Sequence, residues 1–184
     1  MGDKNMYEVT PTKSNRRAQY TSAVLLIAAF SAMLFSTLPN IPYRSVMQFS
    51  ALVMLSFSIL MLTKYSFSSY VYSVIQSADG EYDLTVTELK RKSKITVCRI
   101  GLNGIEQVTL AKRADREQTA KLKEKSNGRK TYVYCVDLSP AEYIHLLTEE
   151  CGESLVIKLS YDERLFDILK SAESKNKEVN IEPR

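Results

Sequence analysis

The chain has 184 residues, with 25 Lys and Arg against 21 Asp and Glu, and its formal charge of +4 resides entirely in the first 64 residues. Beyond them the two signs balance at 19 each, so the basic excess is no property of the domain that follows. Cys98, Cys135 and Cys151 are odd in number and unevenly spaced, and no disulfide framework is implied.

Residues 1–17 are polar, contain Pro11 and show no periodicity, and they read as a flexible cytoplasmic tail. Two uncharged apolar runs follow, at 18–38 and 45–63. A helix needs roughly 20 apolar residues to cross a bilayer, and each Val, Leu, Ile or Phe favours insertion by roughly 0.3–0.6 kcal/mol. Both runs therefore predict transmembrane helices. Between them Pro39, Asn40 and Pro42 force a reversal, making the helices an antiparallel hairpin over 18–63. Ala28, Ala32 and Ser36 recur every four residues, a small-residue stripe that packs the hairpin on itself. Lys4, Lys13, Arg16, Arg17 and Lys64 flank the outer ends, against Arg44 alone in the connection, which predicts a multi-pass protein of the cell membrane with both termini cytoplasmic. A cleaved signal peptide, whose usual apolar stretch is shorter, and a twin-arginine signal at Arg16 and Arg17 in SNRRAQY are the minor alternatives for the first run.

The remaining residues, 65–175, hold enough chain for one domain of ordinary size. Aromatic and β-branched residues predict a strand from about Tyr70, and Ala78, Asp79 and Gly80 supply a turn. Tyr82, Leu84 and Val86 alternate with polar residues in a second strand, which meets the strand ITVCRIG through a tip carrying Lys90, Arg91, Lys92 and Lys94. Ile105, Val108 and Leu110 mark a fourth strand. Residues 112–130, with Lys112, Arg113 and Arg116 at their start, read as a long exposed loop with at most one helical turn, because they offer too few aliphatic residues for a buried face. TYVYCVDL predicts a further strand. Ser139, Pro140 and Glu142 have the spacing of a helix start, predicting a helix from Ser139 to Glu150 ended by Gly152. Leu155, Ile157, Leu159 and Tyr161 alternate in a last strand, and Asp162 caps an amphipathic closing helix through Leu165, Phe166 and Leu169. Beyond Glu173 the charged chain is expected to fray, with 176–184 a flexible tail.

Read together, these elements predict an α+β membrane protein: the hairpin, then an antiparallel β-barrel or sandwich with a C-terminal capping helix. With YDLTVTEL at 82–89, ITVCRIGL, the pair Ile105 and Val108, and LVIKLSYDERLFDIL, this order resembles the bacterial PH-like family of membrane-anchored proteins. The resemblance covers residues 20–172. It departs from a plain PH barrel in the helix expected at 139–150 and in lacking a Trp in the closing helix. What it implies is a PH-like domain acting as a non-enzymatic binding or scaffolding module, with no catalytic residues to carry over.

Motifs for chemistry are absent from the sequence. It contains no phosphate loop, nucleophile elbow or metal-ligand spacing, so no cofactor or metal is expected. His145, the single histidine, is expected to face solvent near Glu142 and Glu149. Residues 90–130 hold 13 basic and 4 acidic side chains, and Lys90, Arg91, Lys92, Lys94, Lys112, Arg113 and Arg116 are the candidate contacts to a protein partner or to anionic lipid headgroups, each cation near an anionic leaflet contributing about 1 kcal/mol. Without aromatics between these charges, nucleic acid is not an expected partner. The competing function is an accessory subunit of a membrane enzyme or transporter complex, or a membrane enzyme without a local motif.

Overall fold

A computed structural model describes residues 5–13, 16–39, 43–66, 68–77, 79–90, 93–150 and 152–181. The chain divides into two compact units, one of Lys13–Ser68 with Asp137–Ser139, the other of Met1–Thr12, Ser69–Val136 and Pro140–Arg184.

The first unit is built on two helices, α1 (Arg17–Ser36) and α2 (Arg44–Met61), the second continuing into a π-helical turn at Leu62–Ser66. Both are long and apolar enough to cross a membrane. Of the residues expected to reverse the chain, Asn40 and Pro42 lie outside the described residues. Ala18, Ser22, Ala29 and Ser36 are buried on α1, and Ala51 and Ser58 on α2, so from Ser22 onward the small residues recur every seven positions rather than every four. That period keeps one narrow seam on each helix facing its neighbour. Ala28 and Ala32 are only half-buried. The serine hydroxyls do not go unsatisfied: Ser58 Oγ donates across the seam to the Ser22 carbonyl at 2.8 Å, and Ser36 Oγ to the Met33 carbonyl at 2.6 Å. Bulky Ile27, Phe30, Leu34, Phe49, Phe57 and Leu60 point outward, each more than half exposed. Apolar residues outside and small or polar ones within is the reverse of a water-soluble helix pair.

The second unit contains two four-stranded sheets. The first has the order β1 (Asn5–Val9), β2 (Ser68–Gln76), β3 (Tyr82–Lys90) and β4 (Ser93–Gly101). The chain reverses between β2 and β3 at Gly80, whose φ of 83° suits glycine. In the second sheet β5 (Ile105–Lys112) pairs with β7 (Glu142–Glu150), β7 with β8 (Glu153–Ser160), and β8 with β6 (Lys130–Val133). The pairs β1–β2, β3–β4, β5–β7 and β7–β8 are antiparallel, and β6 with β8 is parallel. Alternate residues from the two sheets, such as Tyr72, Leu84, Ile144 and Ile157, meet in one core, which α4 (Glu163–Ile181) completes with Leu165 and Leu169. Removing such side chains from water stabilises the fold by about 1.5–3 kcal/mol each. Strands β3, β4, β5 and β8 fall where the alternation of the sequence puts them.

Five expectations are corrected. Residues 5–9, assigned to a tail, form β1, which pairs antiparallel with β2 from Asn5 opposite Ile75 to Val9 opposite Tyr72. The helix expected at 139–150 is the strand β7: Ile144 to Thr148 are buried without a gap, because β7 is a central strand covered on both faces. The loop expected at 112–130 contains a helix, α3 (Arg116–Lys125), started by Asp115, whose Oδ1 accepts from the Gln118 N–H at 2.9 Å. The strand expected over 131–138 ends at Val133. The chain beyond Glu173 continues α4 to Ile181.

That last extension is held by polar anchors rather than apolar ones. Glu173 is 2% exposed and accepts from the Val108 N–H at 3.1 Å, from Lys170 Nζ at 2.7 Å and from Lys177 Nζ. Burial alone would raise its carboxyl pKa, but these three donors outweigh it and hold the group below its ordinary value. One turn further on, Asn176 donates to the carbonyls of Leu102 and Ile105 at 2.8 and 3.1 Å.

Tyr72 links the sheets through a polar bridge inside the core. Its hydroxyl donates to the Tyr134 carbonyl at 2.7 Å and accepts from the Ser160 N–H at 3.1 Å, with the side chain fully buried. Tyr72→Phe keeps the ring but leaves both groups unpaired, and is expected to lower unfolding free energy by about 2 kcal/mol in urea titration. An unchanged midpoint would show that the bridge contributes nothing.

Candidate functional site

The basic residues singled out from the sequence do not form one site. Lys90 lies at the end of β3, where its ammonium pairs with Glu88 at 3.0 Å, and Lys94 stands exposed at the start of β4. Arg91 and Lys92 lie outside the described residues. Lys112 ends β5 in the other sheet and pairs with Glu142 at 3.0 Å. Arg113 occupies the turn that follows, its backbone N–H bonded to the Ala141 carbonyl at 2.9 Å, and Arg116 opens α3.

A different set of residues converges on a cleft of about 440 Å³ on the second sheet. The last turns of α3 supply Lys123, and the reversal after it supplies Ser126 and Arg129, with Gly128 at a φ of 78° allowing the chain to turn back into β6. Strand β7 contributes Tyr143 and His145, and β8 contributes Lys158, directly opposite His145 in the antiparallel register. Three cations line this cleft and no carboxylate does. Glu106 pairs with Arg129 at 3.0 Å. The Lys158 ammonium sits 5.6 Å from the centre of the Tyr143 ring, a cation–π contact, and neither Lys158 nor Lys123 has a carboxylate partner among the described residues.

His145 corrects a further expectation, since it is 1% exposed rather than solvent-facing. Its Nε2 lies 3.1 Å from Ser126 Oγ, and the Ser126 hydroxyl donates at 2.6 Å to the Leu122 carbonyl. The serine oxygen is then left to accept, which places the imidazole proton on Nε2 and a bare lone pair on Nδ1. Nδ1 is buried without a hydrogen-bond partner. Burial first, and then the positive charge of Lys158, lowers the imidazole pKa to about 4, so the ring is neutral at physiological pH.

Elsewhere, a larger groove of about 560 Å³ runs between Met6, Tyr82, Leu102 and α4 residues Ile168 and Ala172. Cys98 is half-buried, and burial raises its thiol pKa, opposing thiolate chemistry; Cys135 is buried, and Cys151 lies outside the described residues. Among the described residues no group of His, Cys, Asp and Glu is placed to hold a metal ion. No described protein family, curated protein or solved structure matches this chain.

Nothing local in the sequence marks the cleft. Lys123 and Arg129 belong to a charge-rich segment, Lys158 alternates outward from a strand, and His145 lies in a stretch with a helix-start signal before it. The one available sign is that 121–130 carries five basic residues and a single acid, Glu124.

Proposed function

We propose that this chain is a membrane-anchored, non-enzymatic binding module, a PH-like domain held at the cytoplasmic face of the cell membrane where it engages a protein partner or the anionic lipid surface. The observation that carries this reading is the inverted polarity of α1 and α2: small residues on the shared seam and bulky apolar residues outward, an arrangement that suits hydrocarbon rather than water. The pairing of β1 with β2 supports it, because strands that flank the helices in sequence can pair only within one compartment. The basic residues at the outer ends of the hairpin favour the cytoplasm as that compartment. Two sheets around one core with α4 closing it support the PH likeness, while α3 and the parallel strand β6 are additions to a plain barrel.

Alkaline carbonate should leave the chain in the membrane pellet. In intact cells an impermeant thiol reagent should label an Asn40→Cys variant and not an Asp3→Cys variant, and the opposite pattern would overturn the topology. For the binding half, a photoreactive residue in place of Lys94 should crosslink to polypeptide or lipid; recovery of uncrosslinked chain alone would remove this tip as the contact surface.

A further inference from the structure

We propose that the cleft between α3, β7 and β8 is a binding site for a phosphate monoester group. The inference is independent of the membrane reading, because it rests on the cleft alone.

Its first support is the charge of the lining. Lys123 and Arg129 from α3 and the turn after it, and Lys158 from β8, meet around one space with no carboxylate among the lining residues. Several exposed cations elsewhere on this domain are matched singly, Lys90 with Glu88, Lys112 with Glu142, Lys121 with Glu117 and Lys130 with Glu153, whereas Lys94, Arg116 and Lys175 stand exposed without such a pair among the described residues but do not converge on this cleft. Gathering three like charges without a counter-charge is unfavourable unless something anionic enters between them. Glu106 takes part of the Arg129 charge, which leaves a deficit of about two, the charge of a phosphate monoester at neutral pH.

The second support is the form of the cleft. At about 440 Å³ it holds a small organic phosphate. Asn127 and Thr131 on its wall supply polar groups beside the cations, so that several oxygens of one tetrahedral group find donors together. Lys158 is held against the Tyr143 ring, which fixes the direction of its long side chain before any ligand arrives. The Tyr143 face is thereby occupied, which argues against stacked bases and so against nucleic acid.

The third support is His145. Its burial, with Nδ1 unpartnered, puts a neutral ring rather than a fourth cation at the cleft. It also provides the probe, since it is the chain's single histidine and its ring resonances need no assignment.

The full chain, in detergent micelles, is titrated with glycerol 3-phosphate while the His145 ring signals are followed by NMR. In a second arm the chain is placed in nanodiscs containing phosphatidic acid, which carries the same group on a lipid, or phosphatidylcholine alone. A saturable shift in the first arm, or one confined to phosphatidic acid nanodiscs in the second, supports the proposal and identifies a free or a lipid source. Lys123→Gln and Lys158→Gln should each weaken binding roughly tenfold, since a charge-assisted hydrogen bond is lost. Lys175→Gln, exposed on α4 and not among the residues lining the cleft, should leave it unchanged. Any of three results would overturn the proposal: no shift in either arm, an equal shift from sodium chloride at matched ionic strength, or undiminished affinity in the double variant. If the double variant does not fold, Lys123→Gln alone decides, as its side chain is exposed on a helix.

Discussion

Joining residues 5–12 to 69–184 through a short Gly-Ser linker in place of the helices is expected to give a water-soluble chain with a cooperative melt, while 69–184 alone should be less stable by about 3 kcal/mol. The difference is the contribution of β1. Tyr7 and Val9 pack against the core from this strand, and the Tyr7 hydroxyl donates to Asp162 Oδ1 at 2.6 Å. Burial and then Asp162 push the Tyr7 phenol up to about 12, so it remains a donor at any physiological pH. The same carboxylate oxygen accepts the Leu165 N–H at 2.9 Å, capping α4. Without β1 the edge of β2 lies open and one partner of the cap is gone. Urea denaturation of the two fragments decides the matter, and coincident midpoints would show β1 to be dispensable.

Between pH 6.5 and about 4 the domain should lose about 3 kcal/mol of stability through His145 alone. The folded-state pKa is depressed to about 4 from an ordinary 6.5. As the pH falls through 6.5 the unfolded chain therefore binds a proton that the folded chain refuses, and stability declines until the folded ring also titrates. Above pH 6.5 the contribution is flat. The groups facing the ring are Lys158 opposite it on β8, Thr109 opposite it on β5, and Ser126 from the turn after α3. Of these Lys158 is the one charge, and it opposes protonation. Replacing His145 with Gln should flatten the profile over this range, whatever it does to stability overall. Glu173, with its pKa held low, contributes stability that is lost at more acid pH, so both chains should decline there. Parallel profiles from pH 6.5 to 4 would refute the assignment to His145.

How far the sequence could be read depended on which force holds each element. Helices α1 and α2 and strands β3, β4, β5 and β8 are organised by apolar pattern, and pattern is local. Strand β7 is organised by apolar content on both faces, so its alternation vanishes and the Ser139, Pro140 and Glu142 spacing points to a helix instead. Helix α3 buries Leu122 as its one fully buried apolar residue and depends on the Asp115 cap and on Gln118 Nε2 donating to the Leu110 carbonyl at 3.0 Å, neither of which periodicity detects. The last turns of α4 are fixed by Glu173 and Asn176, whose backbone partners are more than 60 residues away in sequence. Strand β1 is five residues long and unremarkable until its partner β2 is known. The cleft shares this non-local character: the register that sets His145 beside Lys158 and the turn that returns Arg129 to the sheet are properties of the fold.

The separation of β1 from β2 by the whole of residues 10–67 bears on how the chain is made. Strand β1 leaves the ribosome before either apolar helix and has no mate until both have been synthesised. Closing so long a loop adds little to the entropic penalty, because that penalty grows only with the logarithm of loop length. On the proposed membrane reading, the decisive condition is the parity of the crossings. Two crossings return β2 to the compartment where β1 waits; a single crossing strands them on opposite sides of the bilayer, with the β2 edge bare and Asp162 lacking its tyrosine. On that reading, a chain threaded wrongly would carry an unfinished sheet.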